Sequence, residues 1–286
     1  MPVRRISRVL VGATFAATIA TASVVAAPMS AGAPVPPDPP DVRRPAAKLP
    51  PPDLRVAPKM CVGSGPHSTC RRYSGLIRIF GRGARPSGVG ATFSVHGPGQ
   101  VRRNEHSLAE ISIHQPGAYG NIVEVGWWRH RGVTRLFVFR WNHNRPSCYD
   151  RCGFQRRGPG KKPGVRLRPG TTIQLAWRHH HQRWNLYVNA KWSGFYPDRL
   201  WRGGFQQVGA AQWFGEVTFR RNGVGRCIDM GNGRAPSGQS ARVFRIRFIG
   251  SSASYRGGSR NVTAPSLYGY HRSSPRSFTY GGPGPC

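Results

Sequence analysis

From residue 75 onward, apolar and polar positions alternate in short segments broken by clusters of Gly, Pro and Asn. Period-two alternation of this kind predicts half-buried strands, and turn clusters this closely spaced predict an all-β sandwich or barrel. The candidate strands are 76–80, 90–96, 107–114, 121–130, 134–142, 171–178, 184–190, 208–219 and 242–249. No amphipathic helical pattern longer than two turns is present.

Alternation also assigns faces. In 121–130, Ile122, Glu124, Gly126 and Trp128 fall on one face, and Val123, Val125 and Trp127 on the other. In 212–219, Gln212, Phe214, Glu216 and Thr218 share a face against Trp213, Val217 and Phe219, which reads as the core side. Each of these two strands therefore carries a glutamate on the face away from the core. Gly126 leaves room on that face for another group to approach the sheet.

Two stretches lie outside the strand pattern. Arg4, Arg5 and Arg8 precede an apolar, Ala-rich run from Val9 to Ala27, and Ala31-Gly32-Ala33 fits a small-residue cleavage site. Residues 1–33 thus read as a secretory signal peptide, with no transmembrane anchor expected after its removal. Residues 34–60 hold Pro36-Pro37, Pro39-Pro40 and Pro50-Pro51-Pro52 without apolar periodicity, and read as a semi-extended spacer. Residues 61–286 remain for one sizeable β domain.

Six cysteines in an exported chain point to disulfides, and six can pair in 15 ways. Spacing favours Cys148–Cys152 and Cys61–Cys70, which leaves Cys227 with Cys286. No paired C-x-x-C clusters suggest a metal site, and no cofactor motif appears. The formal charge of +33 comes mostly from arginines spread along the whole chain. Without a dense basic cluster or a nucleic-acid motif, this reads as a positive field suited to anionic surfaces rather than to a specific nucleic acid. His179-His180-His181 reads as a solvated turn, and Asn261-Val-Thr263 matches an N-glycosylation sequence.

Against that charge, only four glutamates occur: Glu105, Glu110, Glu124 and Glu216. A carboxylate inside an apolar strand is costly without a partner, so Glu124 and Glu216 are candidates for chemistry, and Glu110, between Leu108 and Ser112 on its strand face, is their rival. No G-x-S-x-G elbow, P-loop or H-E-x-x-H occurs.

At these residues the chain resembles the neprosin family, exported β-sandwich glutamic peptidases that cleave after proline. The resemblance runs in order over residues 86–250. It takes in Gly90-Ala91-Thr92-Phe93-Ser94-Val95, Ser107-Leu108-Ala109-Glu110-Ile111 and Ile122-Val-Glu124-Val-Gly126-Trp127. It continues through Cys148-Tyr149, Cys152-Gly-Phe154-Gln155, Trp184-Asn-Leu186 and Gly194-Phe-Tyr-Pro197. Gln212-Trp213-Phe-Gly215-Glu216-Val217 and Met230-Gly231-Asn-Gly233 complete it. The resemblance implies an antiparallel β-sandwich of two packed sheets, of concanavalin-like or jelly-roll type, with an active-site cleft on one sheet. It implies catalysis by Glu124 and Glu216 without a cofactor, on peptide or protein substrates including proline-rich ones. Gln212 is the expected oxyanion donor and Trp128 the expected wall for a proline ring. The spacer is shorter and richer in proline than the activation domain of the plant relatives.

Two other functions fit the same residues. A glycoside hydrolase also uses two carboxylates, although the 92 positions between 124 and 216 do not fit its one-strand acid spacing. A non-catalytic binder of anionic wall polymers would use the arginines instead.

Overall fold

The computed structural model describes residues 61–62, 68–99, 101, 105–117, 120–220 and 228–283. The chain divides into two units, Met1–Asp41 and Val42–Cys286, and every described residue belongs to the second. The signal sequence, the spacer, Cys227 and Cys286 lie outside the described residues.

Sixteen strands are described. In chain order they are β1 (Cys61–Val62), β2 (Thr69–Ile79), β3 (Gly88–Ser94), β4 (His106–His114), β5 (Ile122–His130) and β6 (Val133–Asn142). There follow β7 (Arg145–Pro146), β8 (Gln155–Arg156), β9 (Thr172–His179), β10 (Arg183–Val188), β11 (Lys191–Pro197) and β12 (Ala210–Arg220). The last four are β13 (Ala241–Ile249), β14 (Ser259–Val262), β15 (Gly269–Ser274) and β16 (Ser277–Gly281). The described helical elements are two short 3-10 turns, Arg82–Ala84 and Asp198–Trp201.

The strands form two antiparallel eight-stranded sheets packed as a sandwich. The first runs β1-β2-β12-β4-β5-β6-β7, with β14 also paired to β2; the second runs β15-β16-β13-β3-β9-β10-β11-β8. Val123, Val125, Trp127, Trp213 and Val217 of the first sheet meet Val89, Phe93, Leu175, Trp177 and Leu186 of the second in one buried core. The first-sheet residues are those that alternation placed on the face opposite Glu124 and Glu216. The Trp127 indole N–H crosses the sandwich to donate to the Ser94 carbonyl at 2.9 Å, so even the polar atom of this core ring is satisfied.

Other elements escaped the pattern. β2 starts at Thr69 rather than near 76, because its first half, with Arg71 and Ser74 buried against neighbouring strands, shows no apolar alternation. β11 is studded with Gly194 and Pro197, β14 and β15 are rich in Arg and Ser, and β16 is a five-residue strand, so all of them read as loop in sequence. The Cys61–Cys70 and Cys148–Cys152 disulfides are formed. The first ties the short edge strand β1 to β2 at their paired position. No described helix is long and apolar enough to cross a membrane.

Candidate active site

The outer face of the first sheet carries a second apolar cluster: Tyr73, Leu108, Ile122, Trp128, Phe137, Phe139, Trp141 and Phe214. Inside this aromatic frame lie the acids. Glu124 and Glu110 are 0% exposed and Glu216 is 1% exposed. Burial of three carboxyls on one face of three neighbouring strands is costly unless each is met by donors or shares a proton with another.

Strand register fixes their arrangement. On β4, Ser112 lies opposite Glu124 of β5 on one side and Gln212 of β12 on the other. Gln212, Ser112 and Glu124 thus form one row across the sheet, with the outer two Cα atoms about 10 Å apart at the usual strand spacing. Glu216 lies opposite Leu108, which pairs with Trp128, four residues along β5 from Glu124. Two strand spacings and four residues of rise separate the Glu124 and Glu216 Cα atoms by about 16 Å. Glu110 lies between them. It is opposite Gly126 on β5 and Phe214 on β12, so it is the diagonal neighbour of both Glu124 and Glu216, at about 7–8 Å for such pairs.

Gly126 explains how β4 and β5 accommodate this. A Cβ added there would lie 2.7 Å from the Glu110 Cβ and 2.1 Å from the Ala109 carbonyl oxygen. The space that the sequence suggested at Gly126 is taken by Glu110.

Each of the two expected catalytic acids is held by a ring N–H. Trp141 donates its indole N–H to Glu124 Oε1 at 3.0 Å. His106 Nε2 lies 3.0 Å from Glu216 Oε1, and its Nδ1 lies 2.9 Å from Thr218 Oγ1, which orients the imidazole from behind. Trp141 is opposite Ile122 and His106 is opposite Thr218, so the two anchors draw the acids toward opposite ends of the site. Tyr73 lies directly across β2 from Glu216, and burial, with the Glu216 charge adding, holds its phenol above the ordinary value. It keeps its proton across the physiological range.

The Gln212 amide nitrogen is 3.0 Å from His114 Nε2, which is also 2.9 Å from Ser112 Oγ. His114 thus ties the Gln212 amide to Ser112 and fixes its orientation. Trp128 is 4% exposed and stacks on His130 at 5.1 Å and on Tyr149 at 4.8 Å. Its faces are covered by other rings, and Tyr149 in turn meets Phe137 and Phe139 edge-on. Tyr149 comes from the Cys148–Cys152 loop. Within that loop Asp150 accepts from the Val138 N–H at 3.0 Å, and burial lifts its carboxyl to about 7.

The sequence named Glu124, Glu216, Glu110, Gln212 and Trp128, and all five share this face. It gave no role to His106, His114, Ser112, Trp141 and Thr218, whose relevance depends on cross-strand partners, although Ser112 and Thr218 were placed on this face. Of the histidine run, His179 bonds Asp198 at 2.8 Å and only His180 and His181 sit in the turn. No described cluster of His, Cys, Asp and Glu has the makings of a metal site.

The family model described as Neprosin matches residues 103–283. A search of curated proteins finds no match. Among solved structures, scytalido-glutamic peptidase with a peptide-based transition-state analogue is 14% identical, with 74% of this chain and 98% of that one covered at a TM-score of 0.47. SCP-B, an eqolisin-family peptidase in complex with the tripeptide Ala-Ile-His, is 14% identical over the same shares at a TM-score of 0.48. Chicken galectin 2 is 7% identical, with 51% of this chain and 99% of that one covered at a TM-score of 0.32.

Proposed function

The chain belongs to the neprosin family, and from that premise we propose that it is an exported endopeptidase that uses Glu124 and Glu216 in acid, with preference for bonds after proline. Membership makes it a glutamic endopeptidase, a hydrolase of peptide bonds. The observation that carries the site reading is the burial of Glu124, Glu110 and Glu216 together on one face of β5, β4 and β12.

Peptide hydrolysis without a covalent intermediate needs one ionised carboxylate to take a proton from water and one protonated carboxyl to supply a proton to the leaving amine. Carboxyls crowded on one buried face ionise one after another, since each charge opposes the next. In this proposal Glu124 receives the water proton, and the Gln212 amide, across Ser112, donates to the oxyanion. Glu216 returns the proton, and Glu110 connects the two by diagonal steps. Buried acids require that the face open to admit a peptide, and proline suits the aromatic wall around Tyr149.

One observation favours a second reading. Glu110 is the diagonal neighbour of Glu124, whereas Glu216 is two strands and four residues away. In that reading Glu124 and Glu110 hold the water between them, and Glu216 with His106 supports the site from its end. Steady-state cleavage of a proline-containing peptide by Glu110→Gln and Glu216→Gln, each checked for folding, separates the two. Loss confined to Glu216→Gln excludes the second reading, and loss confined to Glu110→Gln excludes the first. Abolition of activity by a serine-directed or metal-chelating inhibitor overturns both.

A further inference from the structure

A second site lies on the other sheet. β13 shifts register against β3 between Phe244 and Arg247, and Arg245 occupies the shift at a φ of 53°. This bulge keeps Val243 and Ile246 in the core while Phe244, Arg245 and Arg247 line a groove. The turn between β15 and β16 closes it: the Arg276 Nε–H donates to the Ile246 carbonyl at 2.8 Å, and the Ile246 N–H donates to the Arg276 carbonyl. The groove holds about 570 Å³ and is completed by Ser274 and Ser277, whose hydroxyls are 2.9 Å apart. A second groove of about 470 Å³, reaching to Tyr255 and Arg256, shares Ser274 and Arg276 with it.

The electrostatics of this groove are unbalanced. Among the described residues, Arg245, Arg247 and Arg276 have no carboxylate partner. Arg247 is half-buried, and burial together with the Arg276 charge holds its guanidinium below the ordinary value. Cations gathered in a concavity without an acid are destabilising until an anion joins them, and guanidinium forks with hydroxyls match tetrahedral oxyanions.

We infer that the twin groove around Arg247 and Arg276 binds a phosphate-bearing polymer that lacks bases. Two adjoining grooves that share Arg276 suit a ligand with repeated charges. Bases are disfavoured because the aromatic faces are taken. Arg242 lies 4.3 Å over the Phe244 ring, and Tyr255 stacks on Phe248 at 4.5 Å with Arg276 4.9 Å from its centroid. A single-stranded nucleic acid would need such faces for stacking.

The test uses inorganic polyphosphate, with a single-stranded oligonucleotide of equal phosphate number and free phosphate as comparisons. The full chain is compared with Arg245→Gln/Arg247→Gln and with Arg157→Gln/Arg168→Gln, which removes the same charge from exposed positions elsewhere. Arg276 is left in place because it holds the hairpin. The groove variant is expected to lose polyphosphate affinity by about tenfold and to show a shallower salt dependence by roughly one to two phosphate contacts, while the control pair changes less than about twofold. Arg247→Lys, which keeps the charge and loses the fork, is expected to fall between. Equal losses in the two double variants would show bulk charge alone and overturn the site. Oligonucleotide bound as tightly as polyphosphate would overturn the ligand class. Unchanged cleavage of a small peptide in the groove variant reports that it is folded.

Discussion

Gln212 and Glu124 stand in one cross-strand row with Ser112 of β4 between them. The amide is turned by His114, and the carboxylate accepts the Trp141 indole N–H. The row places an amide donor and an acid on either side of the same backbone segment, which is the arrangement the proposed mechanism uses. Gln212→Leu is therefore expected to lower kcat by about 10²–10³ with a smaller effect on KM, the range for loss of one oxyanion donor. Steady-state kinetics on a proline-containing peptide check it, and a KM effect alone would assign Gln212 to ground-state binding.

His106 acts on the site through Glu216. His106→Ala leaves the buried Glu216 without its ring N–H and Thr218 without its partner, at a cost of about 1–3 kcal/mol. The double variant His106→Ala/Glu216→Gln is expected to recover part of that stability, because a neutral amide costs less to bury than an acid that has lost this donor. Chemical denaturation of the two variants measures the difference, and additive losses would contradict the coupling.

Gly126 is a packing requirement of the site. Gly126→Ala drives a methyl group into the Ala109 carbonyl and the Glu110 Cβ, both within 3 Å. Overpacking of this kind costs about 1–3 kcal/mol. For a domain of this size that is a fall of several degrees in Tm, at roughly 2–4 °C per kcal/mol. Activity is expected to fall with it, because Glu110 and β5 are pushed apart.

Two half-buried groups give the fold opposing pH responses. Asp150 is raised by burial from 3.8 to about 7, so its protonated form is favoured in the fold. Its contribution is full at low pH and is lost as pH rises through about 7. His96 is lowered by burial from 6.5 to about 4, so its contribution is full above 6.5 and is lost as pH falls toward 4. Relative to Asp150→Asn, the wild-type Tm is expected to drop between pH 4 and 8. Relative to His96→Gln, it is expected to drop from pH 7 down to 4. Melting curves across that range test both signs.

Much of the site was readable in sequence because strand alternation sorts residues by face without knowledge of neighbours. Glu124 and Trp128 separated cleanly from Val125 and Trp127, and Glu216 from Trp213 and Val217. Register was not readable. That Ser112 lies between Gln212 and Glu124, or that Glu110 bridges the two expected acids, follows from the order β12-β4-β5, which no local pattern encodes. His106 and Thr218 are 112 positions apart in the chain and meet only across that pairing. The strands β14 and β15, rich in Arg, Ser and Gly, were invisible for a different reason: they stay partly exposed and carry little of the apolar signal on which alternation depends, while β16, although buried, is only five residues long.

The central claim is that the acids of this face perform the hydrolysis, with Glu124 and Glu216 as the working pair. The most direct measurement is kcat/KM on a proline-containing peptide from pH 3 to 8, for the wild type and for Glu124→Gln and Glu216→Gln shown by circular dichroism to be folded. The account predicts a wild-type maximum in acid and a loss of at least about 10³-fold in each variant, in line with removal of a general acid–base group. Retained activity in a folded Glu124→Gln would contradict the site itself, and retained activity in a folded Glu216→Gln would contradict the pairing.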